Sequence, residues 1–335
     1  MPESAVLRTK FLSLLLFLQL LTPAAAQMPR WEKPRPDTSG RALTPAERAL
    51  ERDVQYLSSP LCEGRATGTR GGAEAAFFVL RRLREMGLQT AVQAFPIAAS
   101  GQTPGRTGHN ILAVLPPSAL QPRARWVVVC AAYDGLGTID GRVYPGADSN
   151  ASGVAALLSL AGRLSALEQR KCGVLLVALD AHQAGRAGAD ALCSALSSGS
   201  GGLTLTESIR LRDVRLLLNL DTVGSILAPV DKAWKHHLIV LGGASFRIQE
   251  LERYNSGLEL KLYDSYYRSR DFTDLFYRRL GDQRPFLERG VPCVMVTSGI
   301  TDHTNKVSDT PETLHYPVFQ RRVEILSRWL STLLR

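Results

Sequence analysis

The chain has 335 residues, of which 45% are hydrophobic and 21% are charged. This composition is typical of globular proteins and excludes collagen-like, coiled-coil and intrinsically disordered chains. The formal net charge of +9 would favour anionic partners. However, the basic residues occur as short pairs such as Arg81-Arg82 and Arg321-Arg322, without interleaved aromatic residues. We interpret them as a solvated surface and predict no nucleic-acid binding.

The first 26 residues have the organisation of a secretory signal. Arg8 and Lys10 precede an apolar run at 11–21, and small residues before and at Ala26 offer a cleavage site. The run is shorter than the about 18 to 20 apolar residues that a membrane-spanning helix needs. We predict a signal peptide at 1–26, export to a periplasm or the extracellular space, and no stable membrane insertion after cleavage. The alternative is a buried N-terminal helix.

Residues 27–43 are predicted to form an irregular, proline-containing lead-in, and residues 44–335 a single peptidase-like α/β domain. The segment from Thr44 to Glu47 has the capping-box pattern, with proline at the first helical position, and predicts the start of a helix. Further helices are predicted at 71–86, 152–168, 185–197, 244–256, 270–280 and 315–334. Apolar, β-rich runs predict strands at 111–115, 126–131, 173–179, 214–220, 238–241 and 291–296.

Several of these predicted strands are apolar without alternation, which is typical of strands covered on both faces of a sheet. Because the strands alternate with helices, we predict a three-layer α/β/α fold with a mostly parallel, mixed central sheet. The five cysteines are too few and too scattered for a disulfide framework. Cys130, Cys172 and Cys293 lie in predicted strands and are interpreted as small core residues. The sequence leaves the pairing of the cysteines open.

Polar side chains follow the predicted strands, where ligands of open α/β sheets bind. Asp134, His182, Asp221 and His303 each lie just beyond a strand, and Asp148 lies in a loop before a helix. Taken singly, such an aspartate is most often a helix cap or turn former. Together, Asp148, Asp221, His182 and His303 offer the oxygen and imidazole ligands that suit zinc.

Ordered motifs over about residues 50–330 resemble metallopeptidase family 28. This family includes exported zinc aminopeptidases, glutamate carboxypeptidase II and glutaminyl cyclases. The resemblance implies a zinc-aminopeptidase-like fold. The matching segments are Glu63-Gly64-Arg65 with Gly68-Thr69, GADSNASGVAALL at 146–158, NLDTVG at 219–224, PFLERGVP at 285–292, and His303 followed by Ser308-Asp309-Thr310.

The resemblance implies that three of the family's five zinc ligands are retained. The bridging aspartate matches Asp148, the second aspartate matches Asp221, and the C-terminal histidine matches His303. Each of the two metals in the family arrangement would keep two strong protein ligands, whereas catalytic zinc normally has three. We therefore expect zinc to bind weakly or at a single site, or no metal to bind.

The remaining catalytic positions of the family differ in this chain. Ala132 stands at the first histidine, and Ala181-His182-Gln183 replaces a segment that supplies a glutamate base and then a glutamate ligand. Gln183 brings no charge and is a poor zinc ligand. The family's Ser-Asp-His segment is Gly281-Asp282-Gln283. His182 titrates in the useful pH range, so it is the candidate catalytic residue, as a substitute base or, alternatively, as a ligand.

Three hypotheses for the function follow. The leading one is an exported peptidase-family protein with lost or much reduced peptidase activity and a residual cleft that binds peptide termini or another small molecule. The alternatives are an active zinc-dependent exopeptidase with a rearranged one-metal site, and a non-catalytic interaction scaffold. A glutaminyl cyclase is disfavoured because that branch relies on the acidic base and ligand that are missing here.

Overall fold

A computed structural model describes residues 41–99, 101, 104–119, 123–199, 209–226, 236–243, 246–266 and 269–335. The predicted signal peptide and most of the predicted lead-in lie outside these residues. In the described ranges, no helix combines the length and apolarity needed to cross a membrane.

Eight strands of the described residues form one sheet: β1 Gln89–Ile97, β2 Arg106–Leu115, β3 Arg125–Ala132, β6 Cys172–Leu179, β7 Val214–Leu220, β8 His237–Leu241, β9 Lys261–Tyr263 and β10 Cys293–Thr297. Their order in the sheet is β1-β2-β6-β3-β7-β10-β8-β9. The inner strands β6, β3, β7 and β10 run parallel to one another, whereas β1 pairs with β2, β2 with β6 and β8 with β10 in the antiparallel sense. A separate hairpin is formed by β4 Gly137–Ile139 and β5 Arg142–Tyr144.

Helices cover both faces of this sheet. They are α1 Pro45–Leu57, α2 Arg70–Glu85, α3 Ser152–Ser165, α4 Ala187–Ser198, α5 Ile248–Glu252, α6 Arg270–Asp274, α7 Arg284–Leu287 and α8 Tyr316–Leu334. Side chains of α1, α2, α3 and α8 belong to one buried cluster, and those of α4 and α7 belong to another. The two clusters contain alternate residues of β3: Val127 and Val129 lie in the first, Val128 and Cys130 in the second. This arrangement confirms the predicted three-layer fold with a mixed central sheet.

The predicted capping box is present at the start of α1. The Glu47 backbone N–H donates to the Thr44 hydroxyl at 3.3 Å, and the Thr44 N–H donates to the Glu47 carboxylate at 2.7 Å. The helix predicted at 244–256 is wrong in extent, because α5 ends at Glu252. Asn255 closes a loop beyond it, since its side chain bonds the backbone N–H and C=O of Leu260.

All five cysteines are buried and free. Cys130, Cys172 and Cys293 lie on β3, β6 and β10, as the sequence predicts. Burial raises the pKa of the Cys193 thiol to about 11, which disfavours the reactive thiolate. The thiols therefore pack as core groups.

Candidate functional site at the carboxyl edge of the sheet

The carboxyl ends of β3, β6, β7 and β10 lie at one edge of the sheet because these strands are parallel. Asp134 follows β3, His182 follows β6 and Asp221 directly follows β7. Their side chains interact electrostatically, and Asp148 and Asp282 belong to the same group. We call Asp134, Asp148, Asp221 and Asp282 the acidic cluster. Asp134, Asp148, His182 and Asp221, four of the five positions named from the sequence, thus interact with one another or through a shared neighbour.

His182 lies within the acidic cluster and forms an ion pair. Its Nδ1 lies 2.9 Å from Oδ2 of Asp282, and the two side chains are 26% and 4% exposed. Burial lowers the pKa of His182, but Asp282 and the neighbouring carboxylates outweigh that effect and raise it to about 10. These carboxylates favour the protonated form of the ring, which cannot accept a proton.

Asp134 holds the turn that carries His182. Its two carboxylate oxygens accept hydrogen bonds from the backbone N–H groups of His182 at 2.9 Å and Gln183 at 3.0 Å. Burial raises the pKa of Asp134 to about 6. The Gln183 side chain is exposed. Asp134 thus fixes the backbone of His182 and Gln183, the two positions where the resemblance implies a glutamate base and a glutamate ligand.

Asp148 precedes α3 and is almost fully buried. Its Oδ1 accepts hydrogen bonds from the Ser152 hydroxyl at 2.9 Å and from the backbone N–H groups of Gly224 at 2.8 Å and Ser225 at 3.3 Å. Its Oδ2 is buried with no hydrogen-bond partner among the described residues. Asp309 accepts from the Asp148 N–H at 2.8 Å. Asp148 therefore fastens the start of α3 to the turn after β7.

Two buried arginines fix the loops around the acidic cluster. The Arg65 guanidinium donates to four backbone carbonyls at 2.6–2.9 Å, those of Leu57, Tyr133, Pro145 and Gly146. Arg322 of α8 donates to the carbonyls of Val223 at 2.9 Å and Ser225 at 2.6 Å. Arg65 thereby joins the segments that lead to Asp134 and Asp148, and Arg322 shapes the turn that donates to Asp148.

Asp221 and His303 differ in their surroundings. Asp221 is partly exposed; burial raises its pKa to about 6, against the opposite effect of the His182 cation. His303 is half-buried in its own loop, with Nδ1 3.0 Å from the Ser308 hydroxyl. No group of three or more His, Cys, Asp or Glu side chains in the described ranges is arranged to hold a metal. The structure brings Asp148 and Asp221 to one edge but does not group them with His303 as ligands.

The donor set does not fit a paired-zinc centre. Asp148 has only Oδ2 free of hydrogen-bond partners among the described residues, because Oδ1 already accepts three hydrogen bonds. Ala132 provides no donor atom, and the Gln183 amide is uncharged. The imidazolium of His182 has no free lone pair for a metal in its protonated form. A zinc site with three or more protein ligands would require these groups to rearrange.

The partners of the predicted residues are not evident from the sequence. Arg65, Asp282 and Asp309 lie in segments that align with family motifs, but those motifs do not predict the contact of Asp282 with His182 or the hydrogen bonds of Asp309 to the Asp148 loop. One sequence feature could have indicated the contact between His182 and Asp282. Both residues lie in segments that differ from the family pattern, because His182 replaces the glutamate base and Gly281-Asp282-Gln283 replaces Ser-Asp-His. Arg322 lies in an ordinary amphipathic helix and gives no such signal.

Comparisons with known proteins agree with this architecture. Residues 110–330, more than half of the chain, match the model of peptidase family M28. No curated protein matches the chain in sequence. A zinc aminopeptidase of Bacillus subtilis superposes with a TM-score of 0.66 at 14% identity, covering 88% of this chain and 97% of that chain. A glutaminyl cyclase of Fimbriiglobus ruber superposes with a TM-score of 0.67 at 18% identity, covering 89% and 99%.

An aminopeptidase of Aneurinibacillus sp. strain AM-1 superposes with a TM-score of 0.65 at 13% identity, covering 86% of this chain and 94% of that chain. At these identities the solved structures show a shared fold, whereas the family match rests on the sequence itself. Matched motifs, sheet order and family model agree. The chain therefore belongs to peptidase family M28.

Proposed function

We propose that this chain is an exported M28-fold protein whose aminopeptidase activity is lost or much reduced, with a residual cleft that binds peptide termini or another small ligand. The signal-like pattern at 1–26 supports export. The observation that carries the loss of activity is the ion pair between His182 and Asp282. It places a cation at the position where the family has its general base.

Hydrolysis of a peptide bond needs a group that takes a proton from the attacking water. His182, with its pKa raised to about 10, is already protonated at neutral pH. Gln183 is uncharged and also cannot act as a base. General bases typically contribute about 10²- to 10⁴-fold to rate, and altered metal ligands add to that loss.

One observation favours the second candidate, a one-metal exopeptidase. A metal-binding histidine usually bonds its second ring nitrogen to a carboxylate, and Nδ1 of His182 is bonded to Asp282 in this way. Deprotonation at Nε2 would make His182 a ligand beside Asp221. No obvious base would then remain.

An aminopeptidase screen of the purified native protein, with zinc supplied and then removed by a chelator, tests the proposal. We expect activity at or near the background on every aminoacyl substrate, unchanged by zinc or chelator. Substantial zinc-dependent release of N-terminal residues would overturn the proposal. If that activity were abolished by both His182→Ala and Asp221→Ala, the one-metal exopeptidase would be supported instead.

A further inference from the structure

The edge of the sheet opposite the candidate site carries a concentration of basic side chains. Strands β6, β3 and β7 are neighbours and run parallel, so the segments that lead into them meet at the amino edge. These segments, 168–171, 123–125 and 210–215, contain seven basic and two acidic residues, a net charge of +5. The segments are far apart in the sequence, and the fold brings them together. We call this surface the basic edge.

The pairing of the strands places the three segments side by side. Arg125 is the Cα partner of Cys172, and Trp126 is the partner of Val214. Since neighbouring strands lie about 4.8 Å apart, three strand starts form a row about 10 Å wide. The end of α8 lies against this row, because the Lys171 backbone N–H donates to the Leu334 carbonyl at 2.7 Å.

Three of the seven basic residues have structural partners. Arg123 forms an ion pair with the buried Asp213 at 2.8 Å. Arg170 and Arg215 donate to backbone carbonyls near the ends of α3 and α8, where a cation is favourable. These contacts explain the presence of three basic residues and leave four.

The other four basic residues have no comparable contacts. Arg125, Lys171, Arg210 and Arg212 are exposed, and their side chains form no hydrogen bond or ion pair with any described residue. Glu168 is the one exposed acidic side chain of the three segments. Because like charges repel, gathering four cations on one surface does not stabilise the fold. An anionic partner would balance them.

The basic edge fits a membrane surface better than a nucleic acid. Binding of single-stranded nucleic acid uses exposed aromatic side chains for stacking, whereas Trp126, which adjoins the basic edge, is 2% exposed. The headgroups of anionic lipids attract a row of cations without any need for a groove. None of the large apolar side chains that are exposed lies in the three segments, so contact with lipid would be electrostatic and would involve no insertion.

We propose that the basic edge docks this protein on a membrane surface rich in anionic lipids. The acidic cluster lies at the other end of the same strands, and the eight residues of β3 and of β6 span about 26 Å. Docking through the basic edge therefore turns the candidate site away from the membrane. This inference goes beyond the proposed function and holds for an active or an inactive site.

Sedimentation with lipid vesicles tests the docking. The native protein should bind vesicles of equal parts phosphatidylglycerol and phosphatidylcholine at about 0.1 M NaCl and dissociate at about 0.5 M NaCl, because salt screens exposed charges. It should not bind phosphatidylcholine alone. Binding through the apolar run at 11–21 would occur on both kinds of vesicle and would resist salt, so these two conditions distinguish it.

Two variants with the same net charge locate the surface. The basic-edge variant replaces Arg125, Lys171, Arg210 and Arg212 by glutamine; each is worth about fivefold in affinity, so binding should weaken about a hundredfold or more. The control replaces four exposed arginines of α1, α2, β5 and the segment before Asp282 by glutamine, namely Arg52, Arg70, Arg142 and Arg279. It should bind almost as the native protein does, since charges more than about 10 Å from the lipid are screened at 0.1 M salt.

Equal binding by the two variants would overturn the proposal, as would a native protein that does not bind anionic vesicles. Tighter binding of the native protein to a DNA duplex than to vesicles, lost in the basic-edge variant, would also overturn it and identify a nucleic-acid surface.

Lysine labelling of the native protein measures the orientation without a variant, and it decides the matter if the basic-edge variant fails to fold. Lys171 lies on the basic edge and Lys306 lies in the loop that carries His303, and both are exposed. Anionic vesicles should slow the acylation of Lys171 several-fold and leave that of Lys306 unchanged. Equal protection of the two lysines, or protection of Lys306 alone, would contradict docking through the basic edge.

Discussion

Replacing Arg65 by methionine should strongly destabilise the protein. The Arg65 side chain is fully buried and donates to four backbone carbonyls from three separate segments. Methionine keeps much of the side chain's apolar volume but removes every donor. The Gly146 carbonyl keeps the N–H of Ala151 at 3.1 Å, so three carbonyls lose the donor that Arg65 provides. Each acceptor left without a partner costs about 1–3 kcal/mol, so we expect a loss of at least about 3 kcal/mol from a typical total of 5–15 kcal/mol.

Urea unfolding measures this loss, and Arg284→Met is its control. Arg284 is an exposed residue that forms an i,i+4 ion pair with Glu288 at 2.8 Å. Exposed pairs of this kind contribute about 0.3–0.5 kcal/mol, so this variant should unfold almost as the native protein does. Equal stabilities of the two variants would contradict the role given to Arg65.

Restoring the three altered positions together should create metal binding and activity. The variant Ala132→His, His182→Glu, Gln183→Glu gives the chain the histidine ligand, glutamate base and glutamate ligand implied by the family resemblance, while Asp148, Asp221 and His303 are already present. We expect the purified variant to hold close to two zinc ions per chain. Its aminopeptidase activity should exceed that of the native protein by about a hundredfold or more, the usual contribution of a general base.

The matched comparison keeps His182 and restores the other two positions, as Ala132→His with Gln183→Glu. The cation retained there should weaken zinc binding by about tenfold or more relative to the triple variant, since charge close to the ligands strongly affects metal affinity. Elemental analysis and titration calorimetry provide the zinc content and affinity. A triple variant that is folded yet free of zinc would show that other features of the chain prevent metal binding.

The fold could be predicted in large part because its inner strands are buried on both faces. The continuous apolar runs in β3 and β6 are a strong local signal, and the burial of every residue of β6 explains the run in that strand. Strand β1 was not predicted. It is an edge strand in which buried and exposed residues alternate, and it contains polar residues such as Gln93. Its strand conformation depends on pairing with β2, which a local sequence pattern does not show.

The candidate site could be predicted only as a set of positions. Strand ends and family motifs indicated Asp148, His182 and Asp221, because parallel strands end at one edge. The sequence could not show that Asp282, about a hundred positions from His182 in the chain, pairs with it. Local pattern also could not show that Oδ1 of Asp148 accepts three hydrogen bonds, because those donors come partly from the distant turn after β7.

The most direct test of the central claim is anomalous X-ray scattering at the zinc edge from crystals of the native protein grown with excess zinc. We predict no occupied zinc beside Asp148 and Asp221, with the His182 ring still bonded to Asp282. Two well-occupied ions held by these aspartates, with ligands recruited from elsewhere in the chain, would contradict it.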